Sequence, residues 1–263
     1  MNILLRELRA NVKGLVIWCV CIAALVFLAG VEFDAFREEA NVNQMIESLP
    51  EGMRKALSLD VIRFDRPEGF FSYVGQYLMV MAVIYAALAG VKILSREISK
   101  KTAETMFTLP VTRRRIVSMK LIAALVRCVV LTAVTCLATF AVFANSNPGP
   151  EFYGKVLLFG CFLLLMQVLF VLAGLFVSVL SKRHKRTGTL IASITVVAYM
   201  LTFIVRLGEK TEFVKYITPF EYFPPVAVMH GHELELFGFV AVPALIVALF
   251  SLSFVLARKK DIY

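Results

Sequence analysis

No aspartate or glutamate lies inside any of the six long apolar runs of this 263-residue chain. Ion-coupled carriers and proton relays need an intramembrane carboxylate to bind and release the driving ion, so a secondary transporter is disfavoured. Charge of either sign is scarce: 18% of residues are charged and 59% hydrophobic, with a mean hydropathy of +0.79. A soluble domain carries about 45–50% apolar residues, and no water-soluble fold could cover the excess. The five cysteines, Cys19, Cys21, Cys128, Cys136 and Cys161, all fall within apolar runs. They show neither disulfide nor metal-ligand spacing and read as small apolar side chains. His230 and His232, followed by Glu233, stand two apart in a glycine-containing loop and read as solvated groups, not metal ligands. Also missing are a GxxxxGK[ST] phosphate loop, a nucleophile elbow and an HExxH helix. Any uphill work must draw its energy from a partner, and no catalytic, cofactor or metal site is expected in the chain itself.

What is present is hydrocarbon-compatible helix. A spanning helix needs about 20 apolar residues to cross a core of roughly 30 Å, and six segments qualify: 14–31, 71–94, 121–143, 156–180, 190–205 and 236–257. The expected fold is therefore an all-α integral membrane protein with six transmembrane helices in a single domain over 1–263. The net charge of +9 is not a nucleic-acid footprint, because the basic residues cluster at the ends of apolar runs. The N-terminus, the 95–120 connection, the 181–187 loop and the tail together hold 17 basic and 4 acidic residues, whereas 32–70, 144–155 and 206–235 hold 9 basic and 15 acidic. By the positive-inside rule both termini are cytoplasmic. The first run, preceded by Arg6, Arg9 and Lys13, is too long for a signal peptide and should be retained as an anchor.

Several local readings follow. Leu4, Leu5, Leu8 and Val12 recur at helical spacing opposite Asn2, Arg6, Arg9 and Lys13, which predicts an amphipathic interfacial helix over 1–13 that bends at Gly14 into the membrane. The extracellular 32–70 loop should carry short amphipathic helices. Ala82, Ala86 and Gly90 form a small-residue stripe suited to close helix packing. Lys92 and Arg127 are the basic residues within spans; Lys92 can snorkel to the interface, and Arg127 can snorkel, bond to carbonyls or line a substrate path. Gln76, Gln167, Ser193, Thr195 and Tyr199 are scarce polar groups that either bond between helices or face a path. Gln76, Arg127, Gln167 and Tyr199 are the candidates for that path. Pro243 should kink the last span, and YITPFEYFPP, 216–225, should form an interfacial belt or a short re-entrant turn.

The most polar run, KKTAETMFTLPVTRRR, lies in the 95–120 connection. Ile98, Thr102, Met106 and Leu109 share one helical face, which suits a short helix outside the membrane docked on a partner. Pro110 ends it, and Thr112 is placed to cap the next helix. The arginines Arg113, Arg114 and Arg115 then oppose the helix dipole, so they serve lipid headgroups or a partner.

The pattern Glu97, Thr102, Glu104, Met106, Phe107, Leu109, Pro110, Val111, Thr112 and Arg113, ending at Lys120, resembles the loop after the second span in type-2 (ABC-2) permeases of ATP-binding-cassette exporters. Pro219 and Phe220 before the last span, and a basic tail ending in Lys260, Asp261 and Ile262, resemble that family too. Lys101 departs, standing where relatives commonly have glycine. The resemblance implies the type V exporter fold with a cytoplasmic coupling helix. It also implies a permease that pairs with a second copy or a related permease and sits on separate ATPase subunits, which bind ATP with magnesium. Glu97, Ile98, Thr102, Glu104, Met106, Leu109, Pro110 and Arg113 would then be the ATPase-coupling residues. A polytopic anchor or sensor that recruits a cytoplasmic partner is the alternative, but six spans with scattered polar residues exceed what anchoring needs. An intramembrane enzyme would need an inward cluster of reactive side chains, and none is visible. Few polar span residues favour an amphipathic or lipid-like cargo, or a membrane-active peptide.

Overall fold

The computed structural model describes residues 3–38, 42–60, 62–99, 113–146, 148–181, 186–207, 214–231 and 234–259. Among them no strand occurs, as expected where the bilayer offers no water to satisfy an open backbone. The helices are α1 (Ile3–Glu38), α2 (Val42–Glu47), α3 (Glu51–Ala56), α4 (Pro67–Ser99), α5 (Arg113–Phe143), α6 (Phe152–Leu180), α7 (Thr187–Leu207), α8 (Pro225–His230) and α9 (Leu236–Lys259). Six contain stretches long and apolar enough to span a membrane: α1, α4, α5, α6, α7 and α9.

α4 is the hub. It packs most extensively on α6 and also touches α1, α5, α7 and α8. Its small-residue stripe explains the closeness: Ala82 and Ala86 are fully buried, and a Cβ added at Gly90 would lie 2.0 Å from the Val171 carbonyl oxygen of α6. Gly174 of α6 is the reciprocal case, since its Cβ would lie 2.2 Å from the Ala87 carbonyl oxygen. The two backbones therefore touch at matched glycines, a packing device suited to lipid, where helices gain contact energy but little hydrophobic drive. Leu78, Val83, Leu163, Met166 and Val171 fill the surrounding core. α1 leans on α5, and α9 on α6.

Two ends can be told apart by charge: a basic end, where α4 finishes and α5 starts, and an acidic end, where α4 starts and α5 finishes. The helices outrun the hydropathy pattern, α1 and α6 at the acidic end, α5 at the basic end and α4 at both. With 33 residues, α4 is about 50 Å long at 1.5 Å per residue, well beyond the hydrocarbon core. Ring contacts secure the overhang at the acidic end: Phe33 of α1 lies 5.4 Å from Phe70 and 5.6 Å from Phe143, and Phe71 lies 5.4 Å from Phe159. α1 is one helix of 36 residues that continues through Gly14 without interruption. The separate interfacial helix expected over 1–13 is thus joined to the first span; a Cβ at Gly14 would meet nothing within 4 Å, and no turn or close contact there demands glycine. The 32–70 loop, where short helices are expected, carries α2 and α3, and α3 rests on α7. α9 likewise runs on through Pro243.

Candidate functional site

The buried face of α7 is polar but for Ile191: Thr187, Ile191, Thr195, Tyr199 and Thr202 recur every three or four residues, and Arg206 continues it in the last turn. That face meets α4. Thr195 and Thr202 donate their hydroxyls to carbonyls of their own helix, Ile191 at 2.8 Å and Tyr199 at 2.6 Å, whereas Arg206 reaches out of it. Its Nε donates to Oε1 of Glu221 at 2.9 Å, and its Nη1 donates to Oε1 of Gln76 on α4, also at 2.9 Å. Both charged side chains are largely buried, at 12% and 9% exposure. Burial pushes the Glu221 carboxyl above the usual carboxylate range, while Arg206 and Lys215 pull it the other way. A buried charge with a charge-assisted partner is a structural clamp: α4, α7 and the segment between α7 and α8 are fastened at one point.

The clamped segment is YITPFEYFPP. It forms a 3-10 turn over Pro219–Glu221 followed by α8; Tyr216 and Ile217 stay exposed, and from Thr218 on it is seated inside the bundle. Phe220 lies 5.6 Å from Phe170 of α6 and 5.6 Å from Tyr199 of α7, and Phe223 stacks on Phe162 at 4.5 Å. A Cβ at Gly75 of α4 would lie 3.1 Å from Pro225, so a bare backbone makes room for α8. Lys215 and Glu235 form an ion pair that closes the segment's two ends.

Of the four candidate path residues, Gln76 and Tyr199 meet at this clamp. Gln167 sits apart on α6, fully buried; its Oε1 accepts from the Thr132 hydroxyl of α5 at 3.1 Å, and its Nε2 has no hydrogen-bond partner among the described residues. Arg127 on α5 is buried and donates from Nε to the Ala123 carbonyl of its own helix at 3.1 Å, with the Tyr85 hydroxyl of α4 alongside. Ser193 lies on the exposed face of α7. By sequence Arg206 is only one of the charges of the 206–235 connection, and Glu221 falls in the stretch expected to form an interfacial belt or a short re-entrant turn; neither is a candidate site residue there. The available signal was a lone carboxylate in a run of aromatics and prolines, which has to find a cation.

At the basic end, Glu97 and Ile98 belong to the last turns of α4, and Arg113 opens α5. Thr102, Glu104, Met106, Leu109 and Pro110 lie outside the described residues, as do His232 and Glu233. Lys120, which closes the expected coupling loop, is nearly fully buried: its ammonium donates to the Ile93 carbonyl of α4 at 3.2 Å and lies 3.8 Å from Glu7 of α1. The two roots of the 95–120 connection are therefore tied to each other and to α1.

No curated protein and no solved structure matches the chain significantly. The family described as "ABC-2 family transporter protein" matches residues 1–262, which is nearly every residue. With six membrane-length helices carrying that match, the chain is a multi-pass membrane protein that belongs to the ABC-2 transporter family.

Proposed function

We propose that the chain is the membrane-spanning permease subunit of an ATP-binding-cassette exporter, with its basic end in the cytoplasm of the cell's plasma membrane. It pairs with a second copy or a related permease, and separate ATPase subunits bind ATP with magnesium and perform the hydrolysis. The observation that carries this reading is the family match over residues 1–262, supported by a basic connection patterned for docking between α4 and α5.

The packing supplies a route for the coupling. Glu97 and Ile98 are on the same continuous helix as Ala82, Ala86 and Gly90, so force applied to the connection acts on the helix that touches most of the bundle. The glycine contacts make α4 and α6 move together, and Lys120 makes α5 follow the end of α4. Ile98 and Met106 would fill a groove on the ATPase while Glu97 and Glu104 pair with its basic residues. Exposed apolar faces on α1 and α7, with Ile17, Phe27, Val197 and Ile204 among them, are surfaces for lipid or for the second permease. The export path would run between the two copies. An amphipathic or lipid-like cargo, or a membrane-active peptide, suits walls with so few polar groups. Reconstituting the chain with its ATPase and measuring ATP hydrolysis against a panel of lipids and peptides tests the reading. Cargo-stimulated hydrolysis is expected, and hydrolysis indifferent to the permease would contradict it.

A further inference from the structure

A pocket of about 450 Å³ opens at the acidic end, lined by Arg63, Arg66, Glu68, Glu151, Lys155 and His230 with neighbouring backbone. That volume is within the usual range for small-molecule sites. The 32–70, 144–155 and 206–235 segments hold only nine basic residues, and three of them converge on this pocket from two separate segments.

The balance of charge fixes the sign of a ligand. Glu68 is already engaged, accepting from the Gly149 backbone N–H at 3.3 Å, and Glu151 is paired with Lys155 at 3.1 Å. Arg63 and Arg66 make no ion pair among the described residues, and with Glu68 still carrying its negative charge the three cations and two carboxylates of the lining leave a net charge of +1. The first turns of two long helices, α4 and α6, also border the space. Glu151, at the N-cap of α6, makes no side-chain capping bond, so the positive end of that dipole adds to the arginines. The shape is held by Gly69: a Cβ there would lie 1.9 Å from the Arg63 carbonyl oxygen, so only glycine lets the turn carrying both arginines fold onto α4.

We infer that this pocket binds a phosphate group, held by Arg63 and Arg66, from a membrane lipid headgroup or a soluble phosphate ester. Arginine is the side chain best matched to phosphate oxygens. The site is separate from the proposed coupling surface and does not depend on the transport reading.

The full chain, purified in detergent, is titrated with phosphatidylglycerol, a neutral diacylglycerol, glycerol 3-phosphate and inorganic phosphate, with native mass spectrometry as the readout. Saturable binding of one phosphate-bearing molecule per chain is expected. It should weaken about tenfold or more in Arg63→Ala/Arg66→Ala but not in Arg37→Ala/Lys55→Ala, which removes the same charge from exposed positions at the same end. Binding by the lipid alone would name the headgroup as the source, and equal binding by the soluble phosphates would name those; either supports the site. Diacylglycerol binding as well as phosphatidylglycerol, no saturable binding, or equal weakening in both variant pairs would overturn it.

Discussion

Arg206 and Glu221 are fifteen residues apart, Glu221 ending a 3-10 turn that opens at Pro219, and each compensates the other's burial. Removing one partner strands the other charge, a loss of about 3–5 kcal/mol for a buried pair. Arg206→Met should therefore lower the thermal midpoint of the purified protein sharply, whereas Arg206→Met/Glu221→Gln should recover much of the loss; a double variant as unstable as the single would mean the clamp is not electrostatic. The same carboxyl gives a pH test. Because its folded pKa is raised above the unfolded value, the folded state holds the proton more tightly, and stability falls as pH rises from about 4.3 through the raised value. The stability difference between wild type and Glu221→Gln should move against wild type over that window, and a flat difference would contradict the assignment.

At the scale of elements, the matched glycines set the geometry of α4 against α6. Gly90→Leu or Gly174→Leu places a side chain on a facing carbonyl and should cost about 1–3 kcal/mol by overpacking, read as a lower midpoint and reduced cross-linking between cysteines placed on the two helices. Gly14→Ala is the contrast: with nothing near it in an uninterrupted helix, it should leave the midpoint unchanged or raise it. The stripe Ala82, Ala86, Gly90 was legible because spacing alone puts small residues on one face, and the six spans were legible because hydrocarbon demands long apolar runs. Their true ends were not. Hydropathy stops where charge begins, but α1 and α4 continue because Phe33, Phe70 and Phe143 hold the overhang together. The clamp was only half legible. Gln76 and Tyr199 stood out as polar residues in apolar runs, and a re-entrant turn was one of the two readings of 216–225, but the pairing of Arg206 with Glu221 was not legible because a pattern in sequence cannot show which cation a loop carboxylate meets.

For the whole molecule, the acidic end is fastened by the clamp, the aromatic contacts and the buried residues from Thr218 to Met229, and the basic end by Lys120 and by Ser178 of α6, whose hydroxyl donates to the Val91 carbonyl of α4 at 3.2 Å. Motion imposed at the basic end would thus be carried inward along α4 toward a fixed opposite end. Lys120→Met, which keeps the apolar stem but loses the bond to Ile93 and the attraction to Glu7, should leave ATPase binding intact while reducing transport per ATP hydrolysed. Equal coupling efficiency in the variant would show that the tie plays no part.

The most direct test of the account is the attachment of the ATPase to the 95–120 connection. Wild type and Ile98→Asp/Met106→Asp are each co-expressed with the ATPase subunit, purified through the permease, and assayed for bound ATPase and for export in reconstituted vesicles. The account predicts that the variant keeps its folded spans, judged by an unchanged thermal midpoint, but loses both the ATPase and export. Retention of both at wild-type levels would contradict it.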